Sequence, residues 1–331
     1  MDTFLSCDWG SSTFRLRLSN LNTNEVIATE DTEDGIISTY ASWKGSGDTD
    51  PESRFTFFLD IILQQVRRME KNVNMSLTGV PLVISGMASS SIGMKSLPYQ
   101  ELPLALDGSN ILYHYSKAAK TGDHAVLLIS GVKSESDVMR GEETQLIGCI
   151  DDNSNNDGEQ LYIFPGTHSK HIFIKDGHAT DFRTYMTGEL FALLSEQSIL
   201  SSTVEKKENT STDALTSFKL GVKDSVGSNL LNACFKVRTN SLFDKLSKTE
   251  NYDYLSGLLI GSELQELQPA HNRPTYNRIS LCCGSRLKLY YETALGVLGL
   301  SSKLFIFNAQ SMDEAVIRGQ RKILLKELHH E

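Results

Sequence analysis

Two short segments, one in each half of the chain, constrain the fold more than any other feature. Thr3 to Cys7 reads as an apolar strand, Asp8-Trp9-Gly10-Ser11-Ser12 as a turn, and Phe14 to Leu18 alternates as a returning strand. Leu161 to Phe164, the turn Pro165-Gly166-Thr167-His168-Ser169-Lys170, and Ile172 to Ile174 repeat that plan. A strand–turn–strand rich in Gly, Ser and Thr at the opening of each half is what a duplicated α/β domain leaves behind. A chain of 331 residues has room for two domains. The Asn/Asp-rich stretch Asp151 to Gly158 is the natural linker, so the expected domains are 1–150 and 151–331.

The remaining elements fit an α/β fold. The segment 26–38 continues the first sheet. Residues 51–71 place Phe55, Phe58, Leu59, Ile62, Leu63 and Val66 at helical spacing. Pro81–Ser85, Ala125–Ile129, Ile279–Cys283 and Leu304–Phe307 read as strands. Helices are expected from Glu142 through Ile147 and over Thr187–Leu200, Arg286–Leu298 and Met312–Leu328, the last packing back on the first domain. Residues 201–213 read as a polar surface loop, and the closing Glu-Leu-His-His-Glu as a solvated tail.

Composition narrows the class. Hydrophobic residues make up 40% of the chain, enough for a large core that needs no disulfide or metal staple. The five cysteines form no C-x-x-C pair, and Cys7, Cys282 and Cys283 lie in apolar runs as reduced core residues. A net charge of −9 without a Lys/Arg cluster argues against nucleic acid as a partner. No apolar run approaches the ~18–20 residues that cross a bilayer, and no signal peptide is visible. The expected compartment is the cytoplasm.

Each turn has a bland reading as a polar hairpin and a functional one. Gly and hydroxyl residues let backbone N–H groups face a phosphate, and Asp8 at the entrance can hold Mg²⁺ directly or through water. Gly10 is the sole glycine of the first turn, so a positive φ there would fall on it. The second turn adds His168 and Lys170, a cation suited to phosphate or carboxylate. Two such hairpins across a cleft would grip the β- and γ-phosphates of ATP. Between them, Arg140-Gly141-Glu142-Glu143 opens a helix. Its acids either stabilise the positive end of the helix dipole or supply a general base. Gly284-Ser285 ends a buried strand where a nucleotide can lie against a helix start. Neither G-x-x-x-x-G-K-[ST] nor G-x-G-x-x-G occurs.

The chain resembles the 2-dehydro-3-deoxygalactonokinase family from Asp8 to about Gly319. The resemblance is carried by Asp8-Trp9-Gly10-Ser11-Ser12 with Arg15, Gly86-Met87 with Gly93 and Pro98-Tyr99, and the run Val138 to Gly148 containing M-R-G-E-E-T-Q. It continues through Pro165 to Lys170, Phe182-Arg183-Thr184, Met186-Thr187-Gly188-Glu189-Leu190 and Leu255 to Gly261. It implies two ribonuclease-H-like domains of the actin-like ATPase fold flanking a nucleotide and substrate cleft. It also implies transfer of the ATP γ-phosphoryl group, with Mg²⁺, to the terminal hydroxyl of a small sugar acid, 2-dehydro-3-deoxy-D-galactonate. On this resemblance Asp8 organises the metal, and Glu142 is the base, with Asp137 and Glu143 as weaker candidates. Gly10, Ser11, Ser12, Gly166, Thr167, Gly284 and Ser285 bind nucleotide. Arg15, Met87, Ser90, His168, Lys170, Arg183 and Thr187 face the sugar acid, its carboxylate met by Arg15, Lys170 or Arg183. Similar proteins carry Trp where this chain has Met94 and His171, which bears on the choice of sugar acid. The alternatives are a kinase for another sugar acid or an anhydro-sugar, and a regulator that kept the fold without catalysis. A DNA-binding sensor would carry a helix-turn-helix, and none precedes Asp8. The resemblance allows a homodimer and requires no membrane.

Overall fold

The computed structural model describes residues 2–118, 124–150, 158–206, 212–268 and 276–330. Most of the stretch expected to be a linker, residues 151–157, lies outside them. Two compact units emerge: Met1–Asn155 with Gly177–Asp181 and Gln310–Glu331, and Asn156–Asp176 with Phe182–Ala309.

The first unit contains β1 (Thr3–Trp9), β2 (Phe14–Asn20), β3 (Val26–Thr32), α1 (Ile36–Gly45), α2 (Pro51–Val73), β4 (Leu82–Gly86), β5 (Gln100–Glu101), β6 (Leu104–Ala105), β7 (Tyr113–Ser116), β8 (Val126–Ile129), β9 (Val132–Lys133), β10 (Val138–Met139) and α3 (Glu142–Cys149). Its main sheet runs β3-β2-β1-β4-β8-β7. The β1–β2 pair is antiparallel, while β4 is parallel to both β1 and β8. All five residues of β4 are buried, as an interior parallel strand requires. Trp9 is fully buried between Phe14 and Phe58 and donates its indole N–H to the Asp34 carbonyl at 2.8 Å.

The sequence extends the first sheet through residue 38, but β3 stops at Thr32 and α1 starts at Ile36. The cause is a close approach. A Cβ on Gly35 would lie 2.2 Å from the Ser11 carbonyl oxygen. The amides of Ile36 and Ile37 then donate to the carbonyls of Gly10 and Ser11 at 3.0 and 3.2 Å. The first turn of α1 is therefore spent on holding the hairpin.

The second unit contains β11 (Glu159–Phe164), β12 (Ser169–Lys175), the later part of β13 (His178–Tyr185), α4 (Thr187–Gln197), α5 (Thr212–Ser225), α6 (Leu230–Leu242), α7 (Lys248–Leu264), β14 (Arg278–Leu281), α8 (Ser285–Val297) and β15 (Leu304–Ile306). Its strands follow the order β15-β14-β11-β12-β13. Here β11 is antiparallel to β12 and parallel to β14, which is parallel to β15. With the additional edge strand β7 of the first sheet set aside, numbering each unit's strands from its own start gives the order 3-2-1-4-5 in both. The two mixed sheets therefore share one ribonuclease-H-like arrangement. Helices α5 and α7 meet where a Cβ on Gly221 would lie 2.1 Å from the Tyr254 carbonyl oxygen, and one on Gly257 2.0 Å from that of Phe218.

The closing helix α9 (Ala309–His330) belongs, from Gln310, to the first unit. It crosses α3 at two glycines. A Cβ on Gly148 would lie 1.7 Å from the Ala315 carbonyl oxygen, and one on Gly319 2.0 Å from that of Thr144. The buried Gln320 donates from Nε2 to the Cys7 carbonyl at 2.9 Å and to Ser85 Oγ at 2.8 Å, tying α9 to β1 and β4. The helix runs through His330, so the expected solvated tail is its last turn. All five cysteines are free. Among the described residues no helix is long and apolar enough to cross a membrane.

Candidate functional site

In the first unit three chain segments converge on Asp8. The residue sits inside β1, opposite Arg15 of β2 and beside Ser85 of β4, so the turn proper begins at Gly10. Neither Gly10 nor Gly166 has a positive φ; that conformation falls on Gly86, at 85°, and Gly141, at 110°. Both glycines serve the approach. A Cβ on Gly86 would lie 2.8 Å from the Trp9 carbonyl oxygen and 3.3 Å from Asp8 Oδ1, and one on Gly141 3.5 Å from Gly86 Cα. Burial, joined by the charge of Glu142, raises the Asp8 carboxyl above its ordinary range, while Arg15 and Arg17 oppose the rise. The Arg15 guanidinium stands 3.5 Å from Asp8.

The adjacent acids at the start of α3 have different surroundings. Glu143 is 1% exposed, and its two oxygens accept from the Gly141 amide at 2.9 and 2.7 Å. Burial, then the Glu142 charge, pushes its carboxyl up to about 7. Glu142 is half-buried; its Oε2 accepts from the Arg140 amide at 3.0 Å, and its charge reaches Asp8. Neighbouring helix residues point roughly 100° apart. Here that rotation turns Glu143 into the core and Glu142 to the Asp8 side. Asp137 is half-buried in the preceding loop, where its carboxylate accepts from the Val138 amide at 2.7 Å.

Ser11 and Ser12 are exposed, and no described residue accepts from their amides. In the second unit Gly166 is half-buried and Thr167 exposed, and likewise no described residue accepts from their amides. That turn is backed by the start of α4. A Cβ on Gly188 would lie 2.6 Å from the Gly166 carbonyl oxygen, and the Glu189 amide donates to the Thr167 carbonyl at 3.1 Å. His168 pairs with Glu189 at 2.5 Å on the surface.

A residue that the sequence did not single out anchors this hairpin. Glu263 of α7 is 3% exposed and accepts from Ser169 Oγ at 2.7 Å, His171 Nε2 at 2.9 Å, Tyr291 OH at 2.8 Å and Thr187 Oγ1. Burial works against the charge, but His171 and the hydroxyl donors prevail and hold the carboxyl below its ordinary range. The four donors come from β12, α4 and α8, so one carboxylate ties the hairpin strand to two helices. No local motif marks such a residue; an acid in the apolar run of α7 was the available signal.

Met87 starts a short 3-10 turn, and Ser90 just beyond it is 6% exposed with an unpartnered hydroxyl. Lys170 is 5% exposed within β12. Arg183 donates to Glu266 at 2.6 Å. Gly284 and Ser285 are exposed at the start of α8, with open space around Gly284. Met94 is fully buried in the first core, and His171 is fully buried against Glu263.

Two sheets of ribonuclease-H-like order, each led by a Gly/Ser/Thr hairpin, define a chain of the actin-like ATPase class. The family model described as 2-keto-3-deoxy-galactonokinase matches residues 8–323, and the chain belongs to that family. The 2-dehydro-3-deoxygalactonokinase of Escherichia coli (strain K12) is 32% identical over 225 residues, 66% of this chain and 71% of that protein. A Rhizobium meliloti (strain 1021) protein named "Probable 2-dehydro-3-deoxygalactonokinase DgoK1" is 29% identical over 326 residues, 96% of this chain and 94% of its own length. Among solved structures, that of "a putative 2-dehydro-3-deoxygalactonokinase protein" from Sinorhizobium meliloti superposes with a TM-score of 0.77 at 27% identity, covering 98% of this chain and 96% of the other. Membership of a kinase family implies ATP as the phosphoryl donor.

Proposed function

We propose that this protein transfers the γ-phosphoryl group of ATP to the terminal 6-hydroxyl of 2-dehydro-3-deoxy-D-galactonate. The observation that carries the reading is the convergence of Asp8 and Glu142 one turn away from the uncommitted Ser11 and Ser12 amides, inside the matched span 8–323. The amides of Gly10-Ser11-Ser12 and of Gly166-Thr167 hold phosphate oxygens, and Gly284-Ser285 lies against the adenosine. Glu142 accepts the proton of the attacking hydroxyl as the new O–P bond forms. The bond from the γ-phosphorus to the β–γ bridging oxygen breaks, and ADP leaves with that electron pair.

The donor set around Asp8 fits Mg²⁺. Asp8 and Glu142 offer hard oxygens, and an adjacent cation would offset the burial and the Glu142 charge that raise Asp8. Asp8 and Glu142 would hold the ion, and phosphate and water would supply its remaining ligands, as Mg²⁺ prefers. When bound, the ion neutralises charge developing on the phosphates. Met87, Ser90, His168, Lys170, Arg183, Thr187 and Arg15 remain the proposed sugar-acid contacts, and the chemistry belongs to the cytoplasm.

ADP release with Mg²⁺-ATP, measured without sugar and with a panel of sugar acids and anhydro-sugars, tests this reading. The expected result is a strong rate with 2-dehydro-3-deoxy-D-galactonate and at least tenfold lower kcat/KM with each alternative. A better substrate elsewhere in the panel contradicts the assigned sugar; ADP release independent of any sugar contradicts the kinase reading.

A further inference from the structure

We propose that Arg140 binds the carboxylate of the sugar acid through the Nε–Nη2 edge of its guanidinium; the inference rests on the sugar-acid kinase reading above. The strands β5, β9 and β10 form a small sheet of their own, in the order β10-β9-β5. Gln100 of β5 pairs in parallel with Val132 of β9, which pairs antiparallel with Met139 of β10. One step further along this row stand Tyr99, Gly131 and Arg140. The middle position has to be glycine: a Cβ there would lie 2.5 Å from the Met139 carbonyl oxygen and 3.0 Å from the Tyr99 ring. With Gly131 in place, the Arg140 guanidinium carbon lies 4.4 Å from the centroid of the Tyr99 ring.

The guanidinium is fixed on a second side. Its Nη1 donates to the Ser89 carbonyl at 2.8 Å and to Ser89 Oγ, and Ser89 is itself fully buried. The Nε–H and Nη2–H groups donate to no described residue, and no described carboxylate lies within ion-pair distance of Arg140. This edge is the one that meets a carboxylate in a bidentate fork. No atom of this edge is among the buried unpartnered ones, so it stays accessible to an arriving anion. The neighbouring Ser90 hydroxyl is buried and unpartnered, a second donor on the same segment.

The cations singled out in the sequence can still touch the sugar, but they are less free than Arg140 to fork its carboxylate. Arg15 faces Asp8 at 3.5 Å, Arg183 is bonded to Glu266 at 2.6 Å, and Lys170 is buried within its strand. Arg140 is thus the arginine in the Asp8–Glu142 unit that is rigidly held, next to the base segment, and free along its forked edge.

The test compares wild type, Arg140→Gln and Arg140→Lys on the sugar acid and on its neutral C1 carboxamide, by ADP release and by ligand-induced thermal stabilisation. Loss of a charge-assisted contact of about 1.5–3 kcal/mol predicts a KM for the acid roughly 10–100-fold higher in Arg140→Gln. The KM for ATP should stay within about twofold, and the preference for acid over carboxamide should vanish. Arg140→Lys keeps the charge and loses the fork, so its preference should be intermediate, and it carries the test if the Gln variant does not fold. Equal losses on acid and carboxamide, or no loss on either, overturn the proposal and leave Arg140 a structural residue. If wild type shows acid-specific stabilisation without turnover, and Arg140→Gln abolishes it, the kinase reading fails while the Arg140 assignment stands. If Arg140→Gln turns over with its acid preference intact, the Arg140 assignment fails while the kinase reading stands. Wild type with neither turnover nor acid-specific stabilisation overturns both.

Discussion

In the first hairpin the strand pair one step below the turn is Asp8 opposite Arg15; in the second, the corresponding pair is Ile163 opposite His171. Both turns are held from behind in the same way. The start of a helix donates amides to hairpin carbonyls, and a glycine, Gly35 or Gly188, permits the contact. The backbone device was kept in both halves while the charge was redistributed. The first unit places its carboxylates, Asp8 and Glu142, beside the turn and partly open to a ligand. The second buries its carboxylate, Glu263, under four donors. In the proposed mechanism this difference corresponds to chemistry at the first hairpin and a stiff phosphate grip at the second.

Four experiments break or sharpen this division. Of these four, the largest effect is expected from Asp8→Asn, which keeps shape and removes charge: kcat should fall about 10²–10³-fold, the scale of losing one electrostatic contact to developing charge. A kcat within threefold of wild type would remove chemistry from the first hairpin. Next, Glu263→Gln should cost about 3 kcal/mol of stability, since donors built around a buried carboxylate lose their acceptor. Thermal unfolding should show the loss, while kcat of the folded fraction stays near wild type.

The third experiment uses pH, because the two buried glutamates respond in opposite directions. Glu143 has a folded pKa of about 7, above its ordinary 4.5. It favours the folded state while protonated, so its contribution is fullest below about 4.5 and is lost as pH rises towards 7. Glu263 is depressed, so it stabilises above the ordinary carboxylate range and loses that contribution as pH falls through its folded value. Denaturant titrations should show Glu143→Gln flattening the stability profile between about pH 5 and 7, and Glu263→Gln flattening it on the acid side. The smallest effect is the matched pair Gly35→Ala and Gly188→Ala. Each Cβ would sit within 2.6 Å of a hairpin carbonyl oxygen. Each should cost about 1–3 kcal/mol and raise the KM for ATP severalfold. A shift in only one of them would show that the two turns do not both grip the nucleotide.

The hairpins and most strands of both sheets were legible because strand alternation and Gly/Ser/Thr turns are local signals, whereas β7 and β13 were not read as strands. Thr3–Trp9 and Glu159–Phe164 contain the expected strands, and Pro51–Val73 the expected helix. Helices α5 to α7 were not legible as a group. Helix α7 is buried along most of its length, from Asn251 through Leu264, so it shows no apolar stripe to read. The break of the first sheet before Ile36 depends on Gly35 meeting Ser11, a contact between residues distant in sequence. The acids of the first unit could be named from their motif, but Glu142 and Glu143 could be told apart only by burial. Glu263 and the free edge of Arg140 appear only when donors from several elements are counted together.

The central claim is that proton transfer occurs at the first hairpin, on Glu142. Steady-state kinetics of Glu142→Gln with Mg²⁺-ATP and 2-dehydro-3-deoxy-D-galactonate test it most directly. With Glu142 as the base, kcat should be lower by about 10²–10⁴-fold, with the KM for ATP little changed. A variant that turns over at a near-normal kcat would contradict it.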